Sequence, residues 1–123
     1  MKTTSQPDLL PDPHEDAALS RAMDGLWARF LPDIRARVSV LETTARAASE
    51  GALTATQCEA AHSAAHKLAG VLGTFGLTRG TVLARELEVM LACKSSLGRD
   101  AAPKLAEATG ELRGMIENRK PSA

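Results

Sequence analysis

The chain has 123 residues, 15 of them basic and 15 acidic, so its formal net charge at neutral pH is zero. That length bounds one domain with one modest core and excludes a complete nucleotide-binding kinase. The charges cancel without a long run of either sign, which excludes an electrostatic footprint for nucleic acid or an anionic membrane and leaves proteins or small molecules as expected partners.

Pro7, Pro11 and Pro13 stand among acidic and polar residues. This composition predicts a flexible, disordered N-terminal tail over residues 1–15. The opening residues lack the apolar core of a secretory signal, and no stretch approaches the roughly 20 apolar residues of a membrane span. With two cysteines, Cys58 and Cys93, no disulfide framework is legible, so a cytoplasmic location is expected.

Leu19, Met23, Leu26, Trp27 and Phe30 recur at helical spacing. Pro32 marks a break, so this stripe predicts an additional N-terminal helix. A second stripe runs through Ile34, Val38, Leu41, Ala45 and Ala48 to a glycine cap at Gly51. Thr54 is placed to cap a third helix, which Gly76 ends. Thr78 or Thr81 opens a fourth, carrying Val82, Leu83, Leu87, Met90 and Leu91. After a turn through residues 95–103, Leu105, Ala108, Leu112, Met115 and Ile116 supply the last stripe.

No period-two alternation rich in β-branched or aromatic residues appears. The expected fold is therefore all-α: an up-down-up-down antiparallel four-helix bundle over residues 16–118, followed by a short tail at 119–123. Trp27, Phe30 and Phe75 are the large residues expected to anchor a core otherwise rich in alanine.

The stretch His66–Gly76 places a histidine and three glycines inside a helical pattern, where each glycine costs roughly 1 kcal/mol against alanine. On a wheel of about 100° per residue with His66 at zero, Ala61, Ala64, Leu68, Leu72 and Phe75 fall between about 140° and 240°. The core face is thus opposite His66, which is expected on the surface. Gly70 and Gly73, four and seven residues on, share its face and clear the space beside the imidazole for a docking macromolecule. His62, Ser63 and Arg79 are candidate partner contacts around that clearing, although Arg79 also belongs with Arg85, Glu86 and Glu88 to a stretch that reads as a solvated face.

Cys58, His62 and His66 also recur every four residues, a spacing that can line metal-ligand types along one helix face. No acidic metal motif or second Cys/His cluster accompanies them, so a Cys/His metal-binding bundle stays an alternative and no metal site is assigned. The three glycines are not the dinucleotide fingerprint, since no strand precedes them.

The run from Ala65 to Leu77 (AHKLAGVLGTFGL), followed by LARELE from Leu83 to Glu88, resembles a histidine-containing phosphotransfer domain. Ala65 before the histidine, Leu68 two after it, Gly70 four after it, then Gly73, Gly76 and the Leu87-Glu88 pair carry the resemblance. It implies that His66 accepts and returns a phosphoryl group through Nε2, in exchange with the aspartate of receiver domains of response regulators or of a hybrid histidine kinase. It further implies that the receiver brings the Mg²⁺, so that the chain itself needs no cofactor, and that a monomer suffices. The family commonly has lysine three residues after the histidine, where this chain has Ala69; Lys67 takes over the role of phosphate stabilisation on this reading. The remaining alternative is an adaptor that binds receivers without accepting phosphate.

Overall fold

The computed structural model describes residues 13–92 and 99–120. They form four α-helices: α1, Pro13–Ser49; α2, Ala55–Thr74; α3, Thr78–Ala92; and α4, Ala102–Glu117, preceded by a 3₁₀ turn at Arg99–Ala101. No strand occurs among the described residues. Each helix packs on its neighbours in the chain, and α4 closes the ring against α1. The expected disorder of residues 1–12, Cys93 and the first part of the turn near residue 95 lie outside the described residues.

The break expected at Pro32 does not occur, and the two N-terminal stripes lie on one continuous helix of 37 residues. A proline inside a helix leaves the carbonyl four residues earlier without its N–H partner. Here Pro32 and Ala28 are both on the exposed side, so water can satisfy that carbonyl and the helix continues. Helical structure also begins at Pro13, taking in the last three residues of the stretch assigned to the tail.

The second stripe forms the core as expected: Ile34, Val38, Leu41, Ala45 and Ala48 are buried, facing Leu68 and Leu72 of α2, Leu83, Leu87 and Leu91 of α3, and Leu105, Leu112 and Ile116 of α4. The first stripe does not follow suit. Trp27 is buried, but Leu19, Leu26 and Phe30 are 62%, 39% and 44% exposed. At 1.5 Å per residue α1 spans about 55 Å and α2 about 30 Å, so the first turns of α1 run past the end of the bundle.

At that end Trp27 and Phe75 meet edge to face, with ring centroids 5.2 Å apart, and Phe30 lies 6.3 Å from Phe75. The guanidinium of Arg119, a residue assigned to the C-terminal tail, lies 4.9 Å over the Trp27 ring and 3.4 Å from Asp24. The aromatic anchor is thus Trp27, Phe75 and Arg119, with Phe30 at its rim.

Helix ends follow local chemistry. Thr54 accepts from the Gln57 N–H and the Gln57 side chain accepts from the Thr54 N–H, a complete capping box. Gly51 and Gly76 adopt φ of +68° and +75° and end α1 and α2, with the N–H of Ala52 and of Leu77 reaching back five residues to Ala47 and Leu72. Along the α1–α4 seam, Arg35 holds Glu117 through two bonds of 2.7 and 2.8 Å, and Arg113 holds Glu42.

Candidate functional site

The capping box fixes where α2 starts, and its apolar stripe fixes its rotation. Ala61, Ala64, Leu68, Leu72 and Phe75 are buried, and His66 emerges on the opposite face with its side chain 68% exposed. Gly70, one turn on, has no atom within 4 Å of where a Cβ would stand. Beside the imidazole the surface is therefore bare.

Gly73 has one neighbour in addition. A Cβ there would meet Thr81 Oγ1 of α3 at 3.3 Å, and that hydroxyl donates to the Ala69 carbonyl at 3.2 Å. The missing side chain leaves room for Thr81 of α3 beside the α2 backbone, and Gly73 itself is exposed on the side of His66, so it bears on packing as well as on the clearing. Sequence reasoning passed over Gly80, which plays a similar part on α3: it is buried, and a Cβ there would stand 3.1 Å from Leu72 Cδ1.

The chief residue that sequence reasoning assigned to a solvated face is Glu88. Its Oε2 lies 2.8 Å from His66 Nδ1, with the Glu88 side chain only 21% exposed. An ionised carboxylate only accepts, so Nδ1 is the donor in this bond, and in the neutral ring the lone pair then sits on Nε2. The signal was present in the Leu87-Glu88 pair, but only α3 lying antiparallel beside α2 reveals which ring nitrogen it meets.

His62 lies on the same seam, its Nε2 4.0 Å from the same Glu88 oxygen. Ser63 and Lys67 are exposed next to His66 along α2, while Ala69 is buried at 3% exposure against α3. A lysine at position 69 would start from inside the helix seam, whereas Lys67 starts at the surface. Arg79 is not brought to the site; it donates to Glu111 of α4 at 3.1 Å, which raises its pKa. Cys58 turns inward too: it is buried, with Sγ 3.1 Å from the Leu91 carbonyl. The Cys58-His62-His66 row is thus not assembled around one point, and among the described residues no group of three His, Cys, Asp or Glu side chains is arranged to hold a metal ion.

The sequence model of the Hpt domain matches residues 25–120, nearly the whole bundle. The chain belongs to the Hpt domain family. It is similar to Protein RcaC of Microchaete diplosiphon, 34% identical over 92 residues that make up 75% of this chain and 14% of that protein. The chain therefore spans about a seventh of the length of that relative. No solved structure matches it. Hpt domains carry histidine phosphotransfer in phosphorelays, and the matched residues include His66. No helix among the described residues is long and apolar enough to cross a membrane.

Proposed function

We propose that this Hpt domain relays a phosphoryl group through Nε2 of His66, in exchange with the aspartate of receiver domains of response regulators or of a hybrid histidine kinase. The observation that carries this reading is an exposed imidazole whose Nδ1 is bonded to Glu88, beside the open surface at Gly70. Phosphoryl transfer depends on in-line positioning and charge stabilisation more than on covalent machinery, so a chain that offers one oriented nucleophile suffices when the partner supplies the rest.

In acceptance, Nε2 of His66 attacks the phosphorus of the receiver's acyl phosphate; the N–P bond forms as the bond to the aspartate oxygen breaks, and the carboxylate is released. The Nδ1 proton stays in place, so the ring becomes cationic, and the Glu88 carboxylate 2.8 Å away faces that charge. In the return step the ring leaves as neutral imidazole, again with its proton on Nδ1. Mg²⁺ belongs to the receiver on this reading and balances the phosphoryl charge there. Lys67 reaches the phosphoryl oxygens from the surface, while Ser63 and His62 border the docking face. An up-down-up-down antiparallel monomer in the cytoplasm fits these roles, since all the groups named come from α2 and α3 of one chain.

The test is phosphorylation by a phosphorylated receiver. Acid-labile, alkali-stable phosphate is expected on the wild-type chain and none on His66→Gln; a His66→Gln variant that still accepts phosphate refutes the assignment.

A further inference from the structure

Glu88 Oε2 stands between two imidazoles, 2.8 Å from His66 Nδ1 and 4.0 Å from His62 Nε2. The three side chains come from two helices, and their exposure falls toward the shared carboxylate: 68% for His66, 39% for His62 and 21% for Glu88. We infer that His62 is a positioning residue for His66, acting through Glu88. The inference rests on the phosphorelay reading for its consequence, but not for its geometry.

A glutamate side chain has three rotatable bonds, and holding its carboxylate against His66 costs rotamer freedom. A second favourable partner on the same oxygen reduces that cost. His62 is such a partner in both of its protonation states: neutral, it turns an N–H dipole toward the carboxylate, and protonated, it forms an ion pair with it. From α3 the charged group that meets His62 is Glu88, with Leu91 and Ala92 beside it; on α2 itself, Glu59 lines the same hollow. The 4.0 Å separation is longer than a hydrogen bond, so the effect belongs to the class of partly exposed ion pairs.

The four-residue spacing of His62 and His66 gains a reason here that metal binding did not supply. His62 stands one turn before His66 on the side facing α3, where a polar side chain can touch Glu88 without covering Nε2. Ser63 and Lys67, which point away from that seam, cannot do this.

The experiment measures the ring-nitrogen pattern of His66 by ¹H–¹⁵N correlation in the unphosphorylated protein, together with phosphoryl acceptance from a phosphorylated receiver. The variants are His62→Phe, His62→Gln, Glu88→Gln and the double variant His62→Phe/Glu88→Gln. His62→Phe is expected to move His66 from the Nδ1–H form toward the Nε2–H form and to slow acceptance about two- to fivefold. His62→Gln, which restores an N–H donor, is expected to recover most of both. In the Glu88→Gln background His62→Phe is expected to add nothing. The inference is overturned if His62→Phe leaves the His66 nitrogens as in wild type, or if it slows acceptance equally with Glu88 replaced. Should the wild-type chain accept no phosphate at all, the relay reading fails alone, because the nitrogen pattern still reads the coupling of His62 to His66.

Discussion

Glu88 on α3 holds His66 on α2 by a 2.8 Å bond to Nδ1, across 22 positions of sequence. Hydrogen bonds to a charged group contribute about 1.5–3 kcal/mol, so Glu88→Ala should slow phosphoryl acceptance roughly ten- to hundredfold. Circular dichroism should show an intact bundle, since Glu88 lies at the edge of the core. A variant that transfers at the wild-type rate would remove Glu88 from the site.

Gly70 and Gly73 differ in the space around them. Gly70→Leu should keep or slightly raise the melting temperature, because leucine favours helix by up to about 1 kcal/mol over glycine and meets open space. It should nevertheless abolish transfer by filling the surface beside His66. Gly73→Leu should gain less in melting temperature, because its Cβ stands 3.3 Å from Thr81 Oγ1 and the Thr81 hydroxyl, bonded to the Ala69 carbonyl, has to shift. Equal behaviour of the two variants in thermal unfolding would contradict this difference.

Arg119 ties the C-terminal end of the bundle to Trp27 and Asp24. Arg119→Ala should cost about 1 kcal/mol, the sum expected of a cation–π contact and a long, partly buried ion pair. Trp27 is the only tryptophan, so its emission should shift to the red as the guanidinium cover is lost. An unchanged spectrum and unchanged denaturation midpoint would show that the contact contributes nothing.

Arg113 holds the Glu42 carboxyl below its ordinary value of 4.5, and Arg35 does the same for Glu117. A carboxyl depressed in the folded state gives stability that is present above the unfolded value and lost as pH falls through the folded one. Stability should therefore be flat near neutrality and decline below about pH 4.5. Both pairs are partly solvated, so the decline should be shallow. Arg113→Met should flatten it further; an acid transition unchanged in that variant would exclude the Glu42 pair as a contributor.

Phe75→Ala should destabilise by about 3–5 kcal/mol, as for a buried aromatic, and Phe30→Ala by clearly less. Urea denaturation of the two variants compares them directly. Equal losses would place Phe30 inside the core after all, against its 44% exposure.

Much of the fold is legible in residue spacing. The stripe from Ile34 to Ala48, the Thr54 cap, the glycine ends at Gly51 and Gly76 and the face presented by His66 are local properties, set by a helical period of about 3.6 residues and by backbone preferences. The sequence by itself therefore determined five apolar stripes at helical spacing and an exposed histidine with a bare neighbour at Gly70. It did not reveal that α1 continues through Pro32, because proline's cost depends on whether water reaches the Ala28 carbonyl. Nor did it show that Leu19, Leu26 and Phe30 stay exposed, because helix amphipathicity does not report where the neighbouring helices end. Only the tertiary structure decided the site's partners: the approach of α3 turned Glu88 from a surface charge into the holder of His66, set Thr81 beside Gly73, and paired Arg79 with α4. Those outcomes depend on the relative rotation and height of two helices, which core packing sets and which no spacing within either helix encodes.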